Sequence, residues 1–184
     1  KCGEIIKKSV ARKKNPRIIC FGYEGSYSEG AGENVFGEIC EKQYVSTFSE
    51  AFDKIEKDEA DYTVLPIENS STGVISEVLD TLAEKELYII GEEYVPISHC
   101  LVGLPGTKKS DIKKIFSHEQ GFLQCGEYLE GLGNPEQVSH YSTALSARLV
   151  SESNDKSIAA IASERTARIY GLEVLDKSIN TVDC

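Results

Sequence analysis

The side chains with chemistry to offer are mostly hydroxyls and carboxamides, and they come in clusters. These are Ser26-Tyr27-Ser28 behind Gly25, Glu68-Asn69-Ser70-Ser71-Thr72, Ser117 with Gln120 and Gln124, and Ser142-Thr143. Groups of this kind bind anions with neutral hydrogen bonds. Hydroxyl and amide protons reach toward a carboxylate or a departing oxygen, and the unpaired N–H groups of a helix start add to them. Gln120 and Gln124 are one helical turn apart, so both can face the same ligand.

Other chemistries find less support. The six cysteines, Cys2, Cys20, Cys40, Cys100, Cys125 and Cys184, form no C-x-x-C pair, and His99, His118 and His140 are isolated from one another. Each histidine reads as a packed or capping residue, so neither a metal nor a cofactor is expected. A serine or cysteine hydrolase using His118 or His99 would need a nucleophile elbow, and no G-x-S-x-G is present.

Composition narrows the partners. The 184 residues are 40% hydrophobic, enough for a real core, and carry a net charge of −10. That balance speaks against nucleic acid or an anionic membrane, both of which need a basic face. Lys1 to Lys14 hold six basic residues and one acid, which leaves the remainder more acidic still. No apolar run approaches membrane-spanning length and no secretory h-region is seen, so a cytoplasmic location is expected. Methionine is absent, position 1 included, and the chain is therefore expected to start inside a longer or processed protein.

The elements that must position these clusters alternate. Arg17 to Phe21 reads as a strand, followed by a helix that Ser26 or Ser28 can cap. Tyr44 to Thr47 reads as a short strand, and Ser49 to Ile55 as a capped amphipathic helix. Asp61 to Ile67 suggests a strand buried on both faces that delivers Glu68 to Thr72 to the N-terminus of a helix running through Ile75, Val78, Leu79 and Leu82. Leu87 to Gly91 is a further strand, and Glu92 to Gly103 an extended crossing.

The pattern then repeats with strands at 112–116, 137–141 and 157–162. Helices follow from Gly121 to Leu129, from Ala144, and from Ser163 to Tyr170 with Gly171 as C-cap. Five junctions, at Gly25-Ser26, Asn69-Ser70, Ser117, Ser142-Thr143 and Ser163, end a strand in small polar residues and open a helix. The expected fold class is α/β: two lobes of mainly parallel sheet with flanking helices and a ligand cleft between them. Residues 1–16 are a linker or helix tail, 17–95 the first lobe, 96–171 the second, and 172–184 a truncated return segment to the first.

Several motifs together resemble the prephenate dehydratase domain. They are Gly25-Ser26-Tyr27-Ser28, Val64-Leu65-Pro66-Ile67-Glu68-Asn69-Ser70, Ser117-His118 with Gln120 and Gln124-Cys125, Ser142-Thr143-Ala144, Ala159-Ala160-Ile161-Ala162-Ser163 and Tyr170-Gly171-Leu172. The resemblance runs from about Arg17 to Cys184. It implies a fold like the type 2 periplasmic binding proteins. It also implies conversion of prephenate, a small dicarboxylate, to phenylpyruvate, water and carbon dioxide in phenylalanine biosynthesis, without metal, cofactor or covalent intermediate.

By that resemblance Asn69, Ser117 and Gln124 are catalytic, with Glu68 orienting them. Ser26, Tyr27, Ser28, Ser70, Ser71, Thr72, Gln120, Ser142 and Thr143 are substrate-binding. A chorismate mutase fused upstream and a regulatory ACT domain downstream are implied partners, and a homo-oligomer is expected.

Two departures stand out. Residue 119 is Glu where the family commonly has Pro. The family's Thr-Arg-Phe motif, whose threonine is the favoured general acid, is not reached before Cys184, so a chain ending there is expected to be inactive or impaired. The alternative reading is a non-catalytic two-lobed module that binds a small carboxylate.

Overall fold

The computed structural model describes residues 15–70 and 73–180. The expected linker at Lys1–Lys14, the candidates Ser71 and Thr72, and residues 181–184 lie outside them. The chain divides into two compact units, Lys1–Val95 and Pro96–Cys184. No helix of the described residues is long and apolar enough to cross a membrane.

In the first unit, β1 (Arg17–Phe21) is the middle strand of a three-stranded parallel sheet, flanked by β2 (Glu41–Val45) and β3 (Tyr62–Val64). Ile18, Ile19 and Cys20 are fully buried, as a central strand covered on both faces requires. Helix α1 (Tyr27–Phe36) lies close on this sheet because residue 32 is glycine. A Cβ there would come within 2.9 Å of Ile18 Cδ1. Helix α2 (Phe48–Glu56) opens with Thr47, whose hydroxyl accepts the Glu50 N–H at 3.2 Å, and it buries Phe48, Ala51 and Phe52.

The segment after β3 departs from the expected strand-to-helix junction. Only Tyr62–Val64 form a strand, and these residues are half-buried rather than enclosed on both faces. Glu68–Asn69 (β4) and Gly73–Val74 (β5) then pair as an antiparallel hairpin, with Asn69 opposite Gly73. Gly73 takes a φ of +79°, which suits glycine far better than other residues and closes the turn. The hairpin is extended by Ile75 N–H donating to the Ile67 carbonyl at 2.8 Å.

Helix α3 (Ser76–Glu84) therefore starts later than expected, behind Ile75, with no side-chain cap. Asn69 and Ser70 are hairpin residues, not helix caps. The expected strand at Leu87–Gly91 does not form either, and 85–99 contains neither helix nor strand.

The second unit holds a five-stranded sheet in the order β10-β6-β9-β7-β8. Its strands are β6 (Cys100–Gly103), β7 (Lys114–Ser117), β8 (Glu136–Ser139), β9 (Ile158–Ala162) and β10 (Glu173–Asp176). Strands β7, β8 and β9 are parallel, while β6 runs antiparallel to both β9 and β10. The Ile-Ala-Ala-Ile-Ala run of β9 is buried throughout. Alternate residues serve opposite cores. Ile158, Ala160 and Ala162 pack with Val102, Ala147 and Val150, whereas Ala159 and Ile161 pack with Leu101, Ile115, Phe122 and Leu129.

Two further corrections follow. The helix expected over Gly121–Leu129 is broken at Cys125 into α4 (Glu119–Gln124) and α5 (Gly126–Gly131), because Cys125 leaves helical geometry at ψ 17°. Residues 172–180 do not return to the first unit: β10 pairs with β6 and completes the second sheet. Its Asp176 is also tied to Lys109 and Tyr128 of the same unit.

Candidate active-site residues

In the first unit Ser26 caps α1, its hydroxyl accepting the Glu29 N–H at 3.2 Å. Accepting leaves the hydroxyl's own proton available to donate, so capping does not exclude binding. The turn that presents Ser26 is built around Glu29, which is 3% exposed. Its carboxylate accepts from the Gly25 N–H (2.6 Å), Lys42 Nζ (3.1 Å) and the Tyr44 hydroxyl (2.9 Å). Lys42 also pairs with Glu33. Burial, followed by the carboxylate contact, raises the Tyr44 phenol well above its ordinary range, and burial pushes the neighbouring Cys20 thiol up to about 12.

Tyr27 and Ser28 occupy the first turn of α1 and are half-buried. Glu68 and Ser70 are exposed on the hairpin, and Asn69 between them is half-buried.

In the second unit Ser117 ends β7. It is wholly buried, and its Oγ has no hydrogen-bond partner among the described residues. The cap of α4 is not Ser117 but His118, whose Nδ1 accepts the Gln120 N–H at 3.2 Å. Gly121 is the close neighbour of Ser117: a Cβ at position 121 would lie 2.4 Å from Ser117 Oγ and 3.7 Å from Thr143 Cγ2. Strands β7 and β8 are parallel and in register, Ser117 beside Ser139, so the segments that follow them emerge together. Ser117, Gly121 and Thr143 thus meet at the carboxyl ends of these strands, where open α/β sheets bind ligands.

Helix α6 (Thr143–Ser153) is capped by Ser142, whose hydroxyl accepts the Leu145 N–H at 3.1 Å. Helix α7 (Glu164–Ile169) is capped in the same way by Ser163 at 3.0 Å. The junctions at Ser26, Ser142 and Ser163 are therefore true caps, while that at Asn69-Ser70 is a hairpin.

Gln124 is buried at the end of α4, with Gln120 half-buried one turn before it. Gln124 Oε1 stands 2.7 Å from Nε2 of His99, which is 3% exposed. The two atoms are at hydrogen-bond distance, and the tautomer of the His99 ring sets which of them donates. Burial lowers the ring's affinity for a second proton, opposed in part by the bond to Gln124.

The backbone of His99 is fixed on both sides. Its N–H donates to Asn180 Oδ1 at 2.6 Å, and its carbonyl accepts the Ile179 N–H at 3.0 Å. His99 was expected to be a packed residue; that it meets Gln124, twenty-five positions away, has no local signature in the sequence. Glu29, Lys42 and Tyr44 escape sequence reading for the same reason, although Ser26 and Glu29 do have the spacing of a capping box.

The family profile of prephenate dehydratase matches residues 18–183. An arogenate dehydratase/prephenate dehydratase of Arabidopsis thaliana is 42% identical over 163 residues, 89% of this chain and 41% of the relative. A bifunctional chorismate mutase/prephenate dehydratase of Neisseria gonorrhoeae is 34% identical over 177 residues, 96% of this chain and 49% of the relative. The chain thus spans under half the length of each. Among solved structures, a prephenate dehydratase from Arthrobacter aurescens in complex with L-Phe superposes with a TM-score of 0.82 at 33% identity, over 90% of this chain and 56% of that one. With its α/β fold, its strand-end hydroxyls and carboxamides, and a profile match over nearly its whole length, the chain belongs to the prephenate dehydratase family.

Proposed function

We propose that this chain is the dehydratase portion of an enzyme that converts prephenate to phenylpyruvate in phenylalanine biosynthesis. In that reaction the bond between the ring and its carboxylate breaks and carbon dioxide leaves. The bonding pair enters the ring, which becomes aromatic as the C4–O bond breaks. The departing hydroxide takes a proton and leaves as water. Aromatisation supplies the driving force, so the protein's task is to orient the two breaking bonds, anchor the pyruvyl carboxylate and offer hydrogen bonds to the departing oxygen. A cation held on the ring carboxylate would oppose its loss as neutral carbon dioxide, and neutral donors avoid that penalty.

The observation that carries this reading is the Ser117 hydroxyl, fully buried at a strand end and without a hydrogen-bond partner among the described residues. A buried polar group in that condition costs about 1–3 kcal/mol, a cost that a substrate oxygen relieves. Ser117 and Gln124 are assigned to the reacting end together with Asn69, and Glu68 orients Asn69 or its backbone. Ser26, Tyr27, Ser28, Ser70, Ser71, Thr72, Gln120, Ser142 and Thr143 are assigned to carboxylate and hydroxyl contacts. The bifunctional relative supports a mutase fused upstream; a phenylalanine-binding ACT domain downstream and a homo-oligomer complete the proposal.

The names of the plant relatives favour arogenate as a competing substrate, since it differs from prephenate in bearing an amino group in place of the keto oxygen. The test is to give the full-length protein each compound in turn and separate the products by chromatography. Phenylpyruvate from prephenate is the expected result. Phenylalanine from arogenate alone would reassign the substrate, and stabilisation by carboxylates with no turnover would make the protein a binder.

A further inference from the structure

A serine that caps a helix is bound through a lone pair and not through its proton, so its use to a ligand depends on how firmly the rest of the residue is held. Ser26 is held at several points. Its N–H donates to the Tyr23 carbonyl at 2.9 Å, its carbonyl accepts the Gly30 N–H at 3.1 Å, and its hydroxyl accepts the Glu29 N–H at 3.2 Å. Gly22 lies close behind it: a Cβ at position 22 would come within 3.3 Å of Ser26 Cβ. The hydroxyl proton is left to donate.

The Glu29 carboxylate closes this turn by accepting the Gly25 N–H at 2.6 Å, and strand β2 holds that carboxylate in place. Lys42 and Tyr44, two apart on β2, share one face of the strand, and Glu29 and Glu33, four apart on α1, share one face of the helix. Lys42 pairs with both glutamates, and the Tyr44 hydroxyl donates to Glu29 at 2.9 Å. Burying such charges costs desolvation that an apolar contact between helix and strand would avoid, so what the contact adds is direction more than stability.

We propose that Tyr44 and Lys42 are positioning residues for substrate binding. Through Glu29 they fix the Gly25-Ser26 turn, so that the Ser26 hydroxyl is set for a substrate carboxylate before the ligand arrives. A donor fixed in advance gives up little freedom on binding, and the gain falls on affinity rather than on the chemical step. The inference rests on Ser26 meeting the substrate, as proposed above.

Two measurements test it on the full-length protein. The first is independent of turnover: 1H–15N spectra of protein labelled with 15N-glycine report the Gly25 amide. Its proton is expected far downfield, as a short bond to a carboxylate requires, and it moves upfield in Tyr44→Phe, which removes one hydroxyl and keeps the ring. A Gly25 resonance unmoved in Tyr44→Phe would overturn the proposal whatever the enzyme's activity.

The second compares steady-state turnover of prephenate by the unaltered protein, Tyr44→Phe, Ser26→Ala and the double variant Tyr44→Phe/Ser26→Ala. The expected pattern for Tyr44→Phe is a KM about three- to fivefold higher with kcat within about twofold. Ser26→Ala raises KM about tenfold, and the double variant stays within about 1.5-fold of Ser26→Ala alone. Independent, multiplying rises in KM would overturn the proposal, as would an unchanged KM in Tyr44→Phe or a loss confined to kcat. If Tyr44→Phe fails to fold, Lys42→Gln takes its place in both measurements with the same expected pattern and the same overturning results. No turnover by the unaltered protein would sink the dehydratase reading instead, and the amide spectra would still decide whether β2 sets the turn.

Discussion

A Cβ added at residue 121 would stand 2.4 Å from Ser117 Oγ, so the glycine in the first turn of α4 is what gives the buried hydroxyl its room. Ser117 has no exposed surface into which to swing. Gly121→Ala must therefore shift α4 or force the serine off its rotamer. The expected result is a loss of about 1–3 kcal/mol in chemical denaturation, together with a fall in turnover, because the hydroxyl is displaced.

Ser117→Ala separates fold from function. Removing a buried hydroxyl that lacks a partner relieves a desolvation cost, so stability is expected to stay level or rise by up to about 1 kcal/mol. Turnover of prephenate should nevertheless fall about tenfold or more, since a transition-state hydrogen bond goes with the hydroxyl. Denaturation and kinetics on the same preparation check both signs. A loss of stability without loss of turnover would return Ser117 to a packing role.

The buried Glu29 should behave in the opposite manner. Its carboxylate gathers Gly25 N–H, Lys42 and Tyr44, and Glu29→Ala removes the acceptor they share, while Lys42 keeps Glu33. A loss of about 3–5 kcal/mol is expected, as when one partner of a buried ion pair is removed. Glu29→Gln costs less, because an amide oxygen still accepts the Gly25 N–H. Equilibrium denaturation of both variants measures the difference.

Burial holds the folded-state pKa of His99 below its ordinary value of 6.5. The sign follows from proton counting. Below pH 6.5 the unfolded chain binds a proton at this position that the folded chain does not, so stability is complete above that pH and declines as the pH falls toward the lowered folded value. Replacing His99 with Gln should flatten this part of the pH–stability curve, measured by denaturation midpoints in steps down from neutral pH.

What could be read from the sequence was local in origin. Ser26, Ser142 and Ser163 announce helix starts because a cap acts within three residues, and the Ile-Ala-Ala-Ile-Ala run of β9 is apolar throughout because both of its faces are covered. Asn69 and Ser70 misled because hydroxyls and amides suit a tight turn as well as a cap. Gly73, at a positive φ, marks the hairpin in retrospect.

The direction of β6 was hidden for a different reason. A buried strand has the same composition whether its neighbours run parallel or antiparallel, and its pairing with β9 and β10 spans many residues. The His99–Gln124 bond belongs with it, a meeting set by the sheet rather than by spacing.

Asn180 binds the residues that lead into β6 to those that follow β10, one amide spanning the His99 N–H and the Ile97 carbonyl. Within the second unit, the approach to β6 and the segment after β10 are therefore joined through one side chain. Segments tied in this way are expected to stay together when new termini are opened in an exposed loop of the same unit.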